Sequence, residues 1–135
     1  MDTSGPNVRL LMRLGYWSVW HGLYAEASVL FEGAQAARPG SEVPAVGMAV
    51  LAMAMNQPAA AVSLLRTLAP AGAPRSEMVE AHLGCALCLA GEENDGRGIL
   101  KRLSTAARDP AARQMATTLC TLPTSQLSPS LAKVL

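Results

Sequence analysis

The apolar residues of this chain recur at helical spacing, and the pattern restarts after a fixed interval. Val8–His21 predicts a first helix and Tyr24–Ala37 a second. Gly22 lies between them, where a left-handed backbone costs glycine least. Small Gly15 lets the second helix approach the first closely. Ala27 is placed for the tightest helix–helix crossing, and Phe31, one turn on, fills the space between them. Pro39 stops the second helix. A shift of 34 residues lands on Glu42–Arg75, where Met48-Ala49 stands for Leu14-Gly15 and Asn56 for the helix-ending glycine. Ala61, Leu65 and Leu68 follow, with Pro58 near a helix start, where its missing N–H does no harm. The segment Ala69–Pro74 reads as a loop that adds one residue. A third unit then runs from Glu77, with Leu83-Gly84, Gly91, Leu100 and Leu103 in place. It departs from the pattern at Gly96, where alanine is usual, and at Glu80, where an apolar residue is usual.

Beyond the third unit, Asp109-Pro110 opens a further helix, with Asp as N-cap and Pro in the first turn. It is expected to run to about Thr121 and stop before Pro123. Met115, Leu119 and Leu122 give it one apolar face with which to cover the exposed end of the third unit. Ser128-Pro129 predicts a last short helix through Leu135, and residues 1–7 read as disordered.

In Val8–Ser41, Leu14-Gly15, Gly22, Tyr24, Ala27, Phe31, Ala34 and Pro39 all fall at the spacing of the tetratricopeptide repeat, which this segment resembles. The resemblance implies an all-α solenoid of about three helical hairpins with a C-terminal capping helix. The repeats are at about 8–41, 42–75 and 77–110, the cap at about 110–122, and a short segment at 123–135. A hairpin of this kind cannot bury its apolar face alone, and stacked copies leave a concave surface that holds another polypeptide. In this repeat class the first helix of each hairpin lines the groove. That register gives Arg9, Met12, Tyr16 and Val19 from the first repeat and Val43, Val46, Val50 and Met53 from the second. The third contributes Met78, Ala81, Cys85 and Cys88. Such a groove is apolar and methionine-containing, suited to an amphipathic helix. It lacks the lysines, arginines and asparagines with which related domains hold a C-terminal carboxylate. The competing reading is that the capping helix buries some of these positions.

Composition narrows the function classes. Half of the 135 residues are apolar but only 4% are aromatic, which suits small-residue helix packing rather than a β-sandwich. A formal net charge of +1 provides no global field toward nucleic acid or an anionic membrane. The most apolar stretch, Ala45–Met55, falls well short of the roughly 20 residues that span a bilayer. No secretory pattern opens the sequence, and three cysteines form no dense framework, so a cytoplasmic location is expected.

No enzymatic constellation is legible, and no cofactor is expected. His82, Cys85 and Cys88 could share part of a helix face, but no fourth zinc ligand is evident nearby, and small buried residues are the simpler reading. Cys85-xx-Cys88 lacks the strand-to-helix setting of a thioredoxin-type pair. Of Trp17 and Trp20, one is expected in the core and the other at a groove edge. His21 is expected to cap its helix or face solvent. Arg97, Lys101, Arg102, Arg108 and Arg113 are interleaved with acidic residues and read as a solvated surface, with a docking face for an acidic partner as the alternative.

The stretch Leu83-Gly84-Cys85-Ala86-Leu87-Cys88-Leu89-Ala90-Gly91, then Leu100-Lys101-Arg102-Leu103 and Arg108-Asp109-Pro110, resembles the last repeat and tail of the needle-subunit chaperones of bacterial type III secretion. That resemblance implies a cytoplasmic protein that keeps a small, self-associating helical subunit monomeric, with a second small helical chaperone as a further partner. A chaperone of the larger translocator proteins and an adaptor outside secretion are the alternatives.

Overall fold

The computed structural model describes residues 4–68 and 74–127, which form seven α-helices and one 3₁₀ turn, with no strand among them. The helices are α1 (Ser4–Trp20), α2 (Tyr24–Ala37), α3 (Glu42–Ala54), α4 (Pro58–Arg66), α5 (Glu77–Leu89), α6 (Glu93–Ala106) and α7 (Pro110–Cys120). Sequence neighbours pair as hairpins, α1 with α2, α3 with α4 and α5 with α6, and α7 packs on both α5 and α6. The fold is therefore all-α, a tetratricopeptide-like solenoid of helical hairpins closed at its C-terminal end by α7.

Three corners set the period. Gly22, Asn56 and Gly91 each follow the first helix of a hairpin, and all three have positive φ, at 74°, 60° and 93°. Glycine reaches that region without a Cβ penalty, and asparagine is among the few other residues that visit it readily. The substitution of Asn for Gly in the second repeat thus preserves the turn. The start of α5 at Glu77 against α3 at Glu42 carries the one-residue insertion expected from the sequence. The loop expected to hold it, Ala69–Pro74, lies outside the described residues at 69–73, as do 1–3 and the helix expected over 128–135. α1 begins at Ser4, inside the stretch expected to lack structure.

Packing within each hairpin follows from missing side-chain volume. A Cβ on Gly15 would lie 2.4 Å from Cε1 of Phe31, whose ring is fully buried between α1, α2 and α3. In the third hairpin the close approach is to backbone rather than to a side chain alone. A Cβ on Gly96 would stand 2.6 Å from the Gly84 carbonyl oxygen and 2.8 Å from the Cys88 nitrogen, so α6 rests on the backbone of α5. This explains why glycine replaces the usual alanine there. The other departure, Glu80, is also accounted for: its carboxylate pairs with Arg75 at 2.9 Å and Arg102 at 3.1 Å.

The two central first helices are apolar around most of their circumference. α3 buries Pro44 to Gly47, Ala49 to Leu51 and Met53, and α5 buries Val79 and every residue from Ala81 to Cys88. Such helices belong inside a stack, with neighbours on several sides. Ser76 joins two repeats: its hydroxyl donates to Glu42 at 2.7 Å while accepting the Val79 N–H that begins α5. Glu77 does the same one step further along, accepting the N–H groups of Arg108 (2.9 Å) and Asp109 (2.7 Å) just before α7. Those two bonds hold its carboxyl below the usual carboxylate range.

Asp109 caps α7 by accepting from Ala111, with Pro110 in the first turn. Ala112, Met115, Ala116 and Leu119 of α7 are buried, covering the end of the third hairpin. Lys101, Arg102, Arg108 and Arg113 are exposed, and two of the late basic residues, Arg97 and Arg113, also hydrogen-bond this end of the fold. Arg97 donates to the carbonyl oxygens of Leu119 (3.0 Å) and Leu122 (2.7 Å) and to the Thr124 hydroxyl, satisfying acceptors that the end of α7 leaves open. Arg113 donates to the Ala107 carbonyl, and Thr124 also hydrogen-bonds Glu93.

Candidate functional site

The concave side of the stack holds a cavity of about 710 Å³. Its wall is drawn from the first helix of every hairpin and from the cap. α1 contributes Arg13, Tyr16, Trp17 and Trp20, and α3 contributes Glu42, Val43, Val46 and Val50. Met78 and His82 come from α5, and Ala111 and Gln114 from α7.

Five of the groove positions expected from the sequence are in this wall: Tyr16, Val43, Val46, Val50 and Met78. Of the other seven, Arg9 is exposed and outside the wall, and Met12, Val19, Met53, Ala81, Cys85 and Cys88 are buried in the core and are not among its lining residues. Met12 shows the reason, because its terminal methyl would lie 3.0 Å from a Cβ on Gly47, so it packs into the next repeat rather than the groove. On α5 the competing reading holds: α7 packs against that helix, both cysteines are buried, and the cap supplies Ala111 and Gln114 to the wall instead.

Arg13, Trp17, Trp20 and His82 were not among the expected groove positions. Each lies one residue after one that was: Met12, Tyr16, Val19 and Ala81. A step of one residue turns the helix by about 100°, enough to exchange a core side chain for a groove side chain. A signal for it was present in the sequence. Arg13, Trp17 and Trp20 form an i, i+4, i+7 stripe of residues that carry a polar or charged tip on a large apolar body, as a wet-edged groove favours. Both tryptophans line the cavity; Trp20 is half-buried and also packs against the core, while Trp17 is about half exposed.

The aromatic wall is ordered by mutual packing. Tyr16 stands edge-on to Phe31 at a centroid distance of 5.3 Å and stacks with Trp20 at 6.4 Å. Trp17 stacks on His21 at 4.1 Å, and His21 in turn hydrogen-bonds the Trp17 carbonyl. Burial pushes the Tyr16 hydroxyl up to about 12, so it remains a neutral donor. Trp20 Nε1 is buried and has no hydrogen-bond partner among the described residues.

His82 is almost fully buried, and its Nδ1 donates to the Met78 carbonyl at 2.8 Å. Burial lowers its pKa, with the Met78 bond and the charge of Glu42 opposing. The Cys85 thiol is pushed up to about 12, and Cys88 is also raised, both chiefly by burial, so neither is poised as a thiolate nucleophile or ligand. No group of three His, Cys, Asp or Glu side chains among the described residues is placed to hold a metal ion.

Residues 21–83 match the family model of the tetratricopeptide repeat, spanning the second half of the first hairpin to the middle of α5. No curated protein and no solved structure matches the chain. The match and the stacked hairpins support a tetratricopeptide repeat protein, a class that binds other polypeptides and is generally non-enzymatic. No helix among the described residues is long and apolar enough to cross a membrane.

Proposed function

We propose that this protein holds an amphipathic helix of a partner protein in its concave groove. The observation that carries the reading is the wall itself: Val43, Val46, Val50, Met78 and three aromatic rings surround an open volume of about 710 Å³, with polar groups at the edges. An apolar helix stripe entering that space exchanges water for side-chain contacts on both partners, and Met78 adapts to imperfect shape. Specificity comes from Arg13, Glu42 and Gln114, and from the indole N–H of Trp20 if an acceptor reaches it.

The narrower form of the proposal makes the client a small, self-associating helical subunit, the needle subunit of a type III secretion system, kept monomeric in the cytoplasm. That form rests on the resemblance of residues 83–91, 100–103 and 108–110 to needle-subunit chaperones. The groove agrees with it chemically, because covering the apolar stripe of a polymerising helix requires only a complementary surface and no catalysis.

The test is mass spectrometry of proteins that copurify from the native cells with the wild-type chain and with Val43→Glu. Val43 is exposed in the groove, so the variant folds while placing a charge against the client. A stoichiometric small helical protein that is present with wild type and lost with the variant is the expected result. A large partner with membrane-spanning segments moves the assignment to a translocator chaperone. Partners unrelated to secretion leave an adaptor, and a partner retained by Val43→Glu removes the groove as the binding site.

A further inference from the structure

The first helix of the stack has an uncovered edge. Leu10, Leu14 and Trp17 recur at i, i+4 and i+7 on α1 and are 55%, 43% and 48% exposed. Residues at that spacing stand above one another on one side of a helix, so the three make a continuous apolar strip about two turns long. In a solenoid this is where a preceding hairpin packs. Among the described residues nothing lies over it, whereas at the opposite end α7 covers the third hairpin.

The strip has a charged margin. Arg9 and Arg13 each immediately precede a strip leucine and therefore border it on one side. Both are exposed, neither makes a salt bridge with the described residues, and α1 contains no Asp or Glu. Of the other arginines, Arg75 and Arg102 pair with Glu80, and Arg97 with Glu93 and the end of α7, while the exposed Arg38, Arg66 and Arg108 form no salt bridge with the described residues either. The unmatched margin thus sits beside the unmatched apolar strip.

We propose that this edge docks a partner helix whose own apolar stripe is bordered by carboxylates, lying along α1 where the helix of a preceding repeat would lie. A second copy of this chain packed α1 to α1 fits poorly, since the seam would contain the arginines of both copies and no α1 carboxylate. The strip adjoins the groove at Arg13 and Trp17, which border both, while Leu10, Leu14 and Arg9 lie outside the groove wall. It does not depend on what fills the groove.

The experiment titrates two synthetic helices of about four turns into the full chain and follows binding by calorimetry. Both carry leucines at i, i+4, i+7 and i+11. One is flanked by glutamates and the other by lysines. The expected result is that the glutamate helix binds at least about tenfold more tightly than the lysine helix. Leu14→Asp should lose that binding, Arg9→Glu should weaken it, and Val43→Glu in the groove should leave it unchanged. Leu14 and Arg9 are exposed, and thermal melts of both variants confirm that they fold. Equal binding of the two helices, or no binding of either, overturns the proposal. So does loss of binding in Val43→Glu with retention in Leu14→Asp, which assigns the helix to the groove. A wild-type dimer in sedimentation that Leu14→Asp dissociates also overturns it, by giving the edge to a second copy.

Discussion

The two ends of the stack solve the same problem differently. At the C-terminal end, the apolar surface of the third hairpin is covered within the chain. α7 lays Ala112, Met115, Ala116 and Leu119 onto it, Glu77 fixes the start of the cap, and Arg97 fixes its finish. At the N-terminal end, Leu10, Leu14 and Trp17 meet solvent. The contrast separates residues that hold the fold together from residues available to something else. A side chain sealed under the cap contributes to stability, whereas an equally apolar one on α1 contributes little to it and is available for recognition.

Charging both ends gives the largest expected difference. Leu119→Asp places an unpaired carboxylate under the cap and lowers stability by about 4 kcal/mol or more. Leu14→Asp stays within about 0.5 kcal/mol. Urea unfolding midpoints measure both, and equal losses would erase the distinction between the ends. Next in size is removal of the anchor that holds the cap. Arg97→Ala leaves the Leu122 carbonyl without its donor, removes one of the donors to Leu119, and costs about 1–3 kcal/mol. A loss no greater than that of an exposed Lys101→Ala would mean that burial alone holds α7.

Two glycines of α6 sharpen the comparison within a single helix. Gly96→Ala forces a Cβ against the α5 backbone and destabilises by about 1–3 kcal/mol. Gly98→Ala enters open space and stabilises by about 0.4–1 kcal/mol. The same change with opposite signs two residues apart is the expected outcome in thermal melts. The smallest effect is one of pH. His82 has a lowered pKa in the fold, so the unfolded chain takes up its proton more readily. Its contribution is fully present above the unfolded value of 6.5, and stability declines as pH falls below it toward the lower folded value. His82→Gln should flatten the dependence of unfolding free energy on pH in that window, and an unchanged slope would assign it to carboxylates such as Glu77.

How much of this was legible in the sequence differs between fold and site. The hairpins could be read because each depends on residues whose type is forced. No side chain fits at Gly15 or Gly96, and a left-handed corner selects Gly22, Asn56 and Gly91. The cap was equally plain, since Asp109-Pro110 carries its own start signal. The groove was less readable because periodicity shows that a helix has an apolar side, not which neighbour covers it. On α3 the expected positions Val43, Val46 and Val50 line the wall. On α1, Met12 turned toward Gly47 of the next repeat, and the wall moved one residue on. On α5, Cys85 and Cys88 are buried, with the Cys88 sulfur against Gly96 of α6. The outward strip on α1 had no sequence signature of its own, because Leu10 and Leu14 look like core residues by periodicity, and only their exposure among the described residues sets them apart.

The aromatic wall has an optical consequence. The chain has two tryptophans, Trp17 and Trp20, and both border the groove. Indole emission from this protein therefore originates at the wall of the groove. A client displacing water from that surface should shift the emission to shorter wavelength without any label. Occupancy of the groove can thus be followed in the unmodified molecule, with the protein serving as its own spectroscopic reporter.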